Sequence, residues 1–230
     1  MSLLQPIDRD LWICPVPYRA MGLPLGRQLV AARLPGGGLW VHSPVPMTPA
    51  LRAELAALGP VRHVVAPNLW HDECLREFQA EQPDALFHAA PGLAARKRDV
   101  RFGAELSDAP HPDWADVLDQ HLVRGMPAMN EVVFFHRPSR SLIVADLVFN
   151  FGPDGPRWFA FLMRLYGSWE RFGPTRLEKL MMRDRAAVRA SLDRILAWDF
   201  QRVIVGHGRN VGTDARARFA AAFAFLPRTP

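Results

Sequence analysis

Val203-Ile204-Val205-Gly206-His207-Gly208 and, earlier in the chain, Leu142-Ile143-Val144-Ala145-Asp146-Leu147 share one form: a short apolar run that ends on a single polar side chain. Each run has the length and β-branched content of a buried strand, so the spacing predicts His207 and Asp146 at strand ends. A polar group delivered by a rigid strand is held in a fixed position, as a metal ligand or catalytic base must be. The glycines flanking His207 predict a sharp backbone turn that leaves the imidazole accessible.

The rest of the composition bounds what such a site serves. A chain of 230 residues with 49% hydrophobic and 22% charged residues reads as an ordinary globular protein able to bury a substantial core. Two cysteines, Cys14 and Cys74, are too few for a disulfide framework and point to a reducing compartment. The first ten residues carry no long apolar stretch of the secretory kind, and no uncharged apolar run approaches the roughly 20 residues that span a bilayer. The expected location is the cytoplasm.

Outward from the two runs, the first 45 residues read as β-structure. Residues 10–14, 28–33 and 38–42 are apolar runs, with a turn at Pro35-Gly36-Gly37-Gly38. Thr48-Pro49 opens a helix with an N-cap and a first-turn proline, Leu51, Leu55 and Leu58 form its apolar stripe, and Gly59-Pro60 ends it. Val61–Ala66 is a strand, followed by a helix to about Ala80 and a strand at 85–89. Residues 113–123 read as a short helix, and 131–136 with 141–149 as a hairpin. Thr175-Arg176-Leu177-Glu178 has capping-box form at the head of a helical stretch. A strand at 202–205 and a helix from Thr213 close the chain. Strands and helices follow one another in both halves, which predicts two sheets packed between helices.

The strand Val61–Ala66 runs into Asn68-Leu69-Trp70-His71-Asp72-Glu73. Together with Asp146 and His207 at later strand ends, this order resembles the metallo-β-lactamase superfamily, in a divergent branch with degenerate ligand motifs. There a strand leads into a His-x-His-x-Asp-His loop that supplies ligands to two metal ions. In one register Asn68 and Trp70 replace the leading histidines, Asp72 is kept and Glu73 replaces the last histidine. In the register shifted by one, His71 takes the second histidine's place, with Glu73 and Cys74 after it. Both registers stay open. Asp146 matches the family's bridging aspartate and His207 its last histidine, whereas residues 125–130 lack the histidine expected there. The resemblance implies an α+β fold, the four-layer αββα sandwich, over the whole chain, 1–230, as one domain with a basic helical insertion at about 152–200.

It also implies a reduced metal site. The residues left to hold an ion are His71, Asp72, Glu73, Asp146 and His207. Carboxylates outnumbering imidazole make an oxygen-rich site, so a single divalent ion (Zn, Mn or Fe) is the implied cofactor, with loss of the ion the other outcome. An aspartate ahead of a helix also serves as its cap, and Asp146 and His207 also pair with each other or nearby loops in a site that binds nothing. His42, His63, His88, His111, His121 and His136 read as structural. There is no Gly-x-Ser-x-Gly elbow, no phosphate-binding glycine loop and no Cys-x-x-Cys pair.

The formal charge of +5 is concentrated. Residues 157–194 hold nine basic and four acidic residues, a local excess that matches the whole chain's. No nucleic-acid motif accompanies it, so the expected partner is a small-molecule substrate or ligand. The apolar stretch Phe159–Tyr166 beside the arginines reads as core, as a lid over the site, or as a peripheral membrane contact. The function implied is a metal-dependent hydrolase of a small ester-like or anionic substrate. The alternative is a non-catalytic binding or regulatory descendant of the fold.

Overall fold

The computed structural model describes residues 2–227. The chain opens with β1 (Gln5–Asp8) and β2 (Leu11–Val16), then a small ribbon of β3 (Arg19–Ala20) and β4 (Leu23–Pro24). β5 (Arg27–Arg33) and β6 (Leu39–His42) follow as an antiparallel pair. Helix α1 (Pro49–Leu58) starts where Thr48 accepts the Leu51 N–H and buries Leu51 and Leu55. Next come β7 (Val61–Ala66), α2 (Leu75–Glu81), β8 (Leu86–Ala89), α3 (Leu93–Arg96) and β9 (Ala104–Glu105). The sheet order is β1-β2-β5-β6-β7-β8-β9, with β6 to β9 parallel.

The second sheet is built from β10 (Leu118–Leu122), β11 (Val132–His136), β12 (Ser141–Ile143) and, after the helices α4 (Arg157–Leu165), α5 (Arg176–Met181) and α6 (Arg185–Leu196), β13 (Arg202–Ile204). α7 (Ala215–Ala222) closes the described chain. The expected helix at 113–123 is absent: turns lead into β10, whose five residues all pair antiparallel with β11. Pairing beside an existing strand satisfies the backbone in a way the helical spacing of Trp114, Val117 and Leu118 does not outweigh.

Successive strand side chains point to opposite faces, and here they sort into separate cores. On β5, Leu29 and Ala31 meet the α1–α2 side, while Val30 and Ala32 face the other sheet. On β11, Val132 and Phe134 fill the space between the sheets, while Val133 and Phe135 pack with Val188 and Leu192 of α6 and Phe219 of α7. Three apolar layers therefore separate four structural layers: helices, sheet, sheet, helices. This is the αββα sandwich the sequence predicted. The capping box at the head of α5 forms as expected, with Glu178 accepting the Thr175 N–H. Among the described residues no helix is long and apolar enough to cross a membrane. Cys14 and Cys74 are both free.

Candidate metal centre

The site lies where β7, β12 and β13 end. After β12, the backbone stays paired to Ile204 through Val144, and the next two N–H groups, of Ala145 and Asp146, go to the carboxylate of Glu131. This clamp fixes the turn that aims Asp146. After β13, Gly206 packs so closely on the Ala145 backbone that a Cβ there would stand 2.5 Å from the Ala145 carbonyl oxygen. The glycines thus bring the two strand ends together. They do not open the imidazole to solvent as the sequence suggested: His207 is 4% exposed.

After β7, Asn68 organises the loop. Its Oδ1 accepts the N–H groups of Trp70 and His71, an Asx-type turn, and its Nδ2 donates to Asp146 at 2.7 Å and to Glu131 at 3.1 Å. His71 is thereby swung into the site beside Asp146.

The result is a compact triad. One ring nitrogen from each of His71 and His207 and a carboxylate oxygen of Asp146 lie within 4.8 Å of one another. His71 Nε2 stands 3.2 Å from Asp146 Oδ2, and His207 Nε2 stands 3.1 Å from Oδ1. All three side chains are at most 5% exposed. Each imidazole is held from behind: His71 Nδ1 pairs with Ser43 Oγ at 2.7 Å, and His207 Nδ1–H donates to the Gly26 carbonyl. Ser43 reaches this position with a left-handed backbone, φ 54°. With Nδ1–H so committed, Nε2 is the His207 nitrogen that faces the Asp146 carboxylate. His71 Nε2 has no hydrogen-bond partner among the described residues. Two imidazole nitrogens and a carboxylate converging in a buried space suit a cation, and the donor set is that of zinc and non-haem iron sites.

The electrostatics agree. Burial pushes His71 down to about 4, leaving it neutral and able to coordinate near neutrality. Burial opposes the charge on Asp146, but the imidazoles of His71 and His207 hold its carboxyl well below the usual range. Burial and the charge on Asp146 push Glu131 up to about 8, against the pull of its three donated N–H bonds.

Of the five residues expected to hold an ion, the structure brings together His71, Asp146 and His207. Asp72 and Glu73 line the adjoining cavity but do not join the triad. Glu73 is exposed and sits 3.5 Å from Arg27. The cavity is about 450 Å³, with Leu25, Trp70, Phe149, Phe151 and Met163 among its walls. The nine basic residues of 157–194 are not among its lining residues; its cations are Arg27 and Arg96. Arg27 is 4% exposed, and its Nε and Nη2 find no acceptor among the described residues. Sequence reasoning passed over both Arg27 and Glu131. They share one signal, a charge immediately before or at the head of a largely buried strand.

Comparison with known proteins gives the fold and a family match. A family model described as a domain of unknown function, DUF4336, matches residues 26–166. No curated protein matches the chain. Among solved structures, a metallo-β-lactamase from Erythrobacter litoralis superposes with a TM-score of 0.67 at 15% identity, covering 97% of this chain and 96% of that one. One from Pontibacter korlensis has a TM-score of 0.63 at 13% identity, covering 96% and 97%. The metal-soaked Flv1 flavodiiron core from Synechocystis sp. PCC6803 reaches 0.62 at 13% identity, over 90% of this chain and 56% of that one. The chain is thus a divergent version of the metallo-β-lactamase fold.

Proposed function

The chain belongs to the DUF4336 family, and on that premise we propose that it is a metal-dependent hydrolase with a single-ion centre, acting on a small ester-like substrate that carries an anionic group. The observation that carries this is the converging triad of His71, Asp146 and His207, with each imidazole fixed through its far nitrogen. These three residues would hold the ion. Two imidazoles and one carboxylate are a softer set than the oxygen-rich one expected from sequence, and favour zinc or iron(II) over magnesium.

The single-ion reading is supported by what occupies the neighbouring space. Asn68, which replaces a leading histidine in one of the two registers, has its amide engaged with Asp146, Glu131 and two backbone N–H groups. Glu131 accepts three N–H bonds. Protein hydrogen bonds thus engage the polar groups beside the triad, which supports a single ion.

An ion in the triad supplies Lewis-acid polarisation of a carbonyl or phosphoryl group and water activation at neutral pH. The chain's own residues do the rest. Arg27, buried and short of acceptors, takes the anionic group of the substrate. The aromatic and aliphatic wall receives the apolar body and excludes water. Asn68 keeps His71 and Asp146 in register throughout. The Tyr18 hydroxyl, pushed up by burial, stays protonated at the cavity wall as a hydrogen-bond donor.

The test uses metal-free protein, zinc or iron(II), and nitrophenyl esters with and without a second carboxylate. Hydrolysis is expected to follow loading of the triad, to vanish in Asp146→Ala/His207→Ala, and in Arg27→Met to fall at least tenfold for the dicarboxylate-derived ester only. Absence of ion binding at the triad, with no ester turned over, would leave the non-catalytic descendant of the fold.

A further inference from the structure

Strand β7 carries a second histidine cluster three residues before its end, away from the triad. His63 on β7 and His88 on β8 lie on the sheet face that meets the second sheet, and both are nearly fully buried, at 4% and 2%. His63 Nδ1 is 3.1 Å from His88 Nε2, and His63 Nε2 is 3.0 Å from Asp113 Oδ2. The stretch between β9 and β10, which forms turns only, supplies Asp113, His111 and the buried Trp114. His111 Nδ1 accepts the Asp113 N–H at 3.2 Å and lies 3.8 Å from the Asp113 carboxylate. The three imidazoles surround Trp114, with ring centroids 4.8–5.1 Å from it.

We propose that His63, His111 and Asp113 form a second divalent-cation site, with His88 as the hydrogen-bond partner that orients His63. One ligand atom from each of the three lies within 4.8 Å of the others. The hydrogen-bond chain from Asp113 through His63 to His88 accounts for those residues alone, but it has no need of His111. The Nδ1 of His111 accepts the Asp113 N–H and lies beside the Asp113 carboxylate, and coordination of an ion through this nitrogen would replace that one hydrogen bond. Two imidazoles and a carboxylate are a donor set for a first-row ion that favours nitrogen, such as Zn²⁺, Co²⁺ or Ni²⁺. Burial keeps His63 and His88 uncharged near neutrality, the state coordination requires. On binding, neutral His63 carries its one proton on Nδ1 rather than Nε2 and donates it to His88 Nε2, with the proton of His88 on its Nδ1; His88 takes the outer position that ligating histidines ordinarily need filled.

A path for entry exists. His63 and Asp113 line an open cavity of about 540 Å³ that shares no residue with the one beside the triad. Asp113 is 60% exposed and Arg62 lines the same cavity, so affinity in the micromolar range is expected rather than the tight binding of a closed structural site. The bound ion would fasten residues 106–117 to the inner face of the first sheet. The site stands independently of the hydrolase reading.

Titration of the metal-free full-length protein with Co²⁺, followed by visible absorption, and with Zn²⁺, followed by calorimetry, tests it. Two ions per chain are expected. His111→Ala/Asp113→Asn removes one and leaves the triad's ion; Asp146→Ala/His207→Ala removes the other. His88→Phe weakens the distal ion about 10–100-fold. Zinc is also expected to slow amide exchange across residues 106–117 in the full chain but not in His111→Ala/Asp113→Asn. The proposal is overturned if that loop variant, whose changes are in a turn segment and should leave folding intact, binds as many ions as the parent with the same affinity, or if exchange of 106–117 ignores zinc. A single ion lost with His111 and Asp113 would uphold this site and refute the one at the triad.

Discussion

β7 serves two histidine–carboxylate clusters, one from His63 in mid-strand and one from the loop after its end, and they differ chiefly in where the carboxylate sits. Asp146 is 5% exposed and receives Asn68 Nδ2 besides its two imidazoles. Asp113 is 60% exposed, with His63 as its close side-chain partner. A buried charge must be satisfied by the protein at every lone pair, so its neighbours become fixed and interdependent. An exposed one is compensated by water, so its neighbours are free to exchange partners. The same residue types therefore make a rigid centre beyond the strand's end and an adaptable one along its middle.

The largest effect follows directly. In metal-free protein, Asp146→Ala takes away the buried carboxylate that the two imidazoles face and one of the two acceptors of the Asn68 amide. It is expected to cost about 3–5 kcal/mol in urea unfolding, the range for breaking a buried pair. Asp113→Ala should stay within about 0.5 kcal/mol, as surface changes do. Equal costs for the two would erase the distinction between the clusters.

How far this was legible in the sequence varies by residue. Asp146 and His207 announce themselves because an apolar run ending on one polar group has few other readings. His71 was ambiguous, since Asn68-Leu69-Trp70-His71 fits two registers. What selects His71 is the Asn68 side chain folding back on the N–H groups of residues 70 and 71, a local hydrogen bond that no apolar pattern encodes. Arg27 and Glu131 were illegible because a charge at a strand's end is ordinarily solvated. Only contacts with residues far along the chain, such as Glu73 for Arg27, and Asn68 for Glu131, make them interior. His63, His88 and His111 read as structural because their meeting depends on the turn segment ahead of β10, which was itself read as part of a helix.

A buried imidazole outside both clusters supplies a benchmark for their acid sensitivity. His136 pairs with Ser139 at 2.7 Å, and burial pushes it down to about 4 despite the charges of Asp8 and Asp10. Its folded value lies below the unfolded value of about 6.5, so its contribution is full above pH 6.5 and is lost as pH falls toward 4. Between pH 7 and pH 5 this amounts to about 2 kcal/mol. His136→Gln should lose correspondingly less stability over that interval, as read from urea midpoints at the two pH values. An unchanged pH slope would mean that His136 is already protonated in the folded protein, or that the acid response belongs to the two clusters alone.

The smallest effect is expected where charge is most abundant. Residues 157–194 hold nine basic side chains against four acidic, yet the cavity is lined by Met163, Tyr166, Thr175, Leu177 and Glu178 from this segment and by none of its cations. Arg183 and Arg185 are exposed at the start of α6. Exposed charges separated by more than about 8 Å are largely screened at physiological ionic strength. Reversing both to glutamate should therefore change the affinity of an anionic aromatic probe, such as anilinonaphthalene sulfonate, less than twofold at 150 mM salt. Arg27→Met, which removes a buried cation from the cavity wall, should weaken the same probe much more, and with little dependence on salt. A marked loss in the Arg183/Arg185 double reversal that shrinks as salt rises would turn the helical segment from a solvated face into an electrostatic cover. Anion recognition would then be shared between the rim and the buried guanidinium.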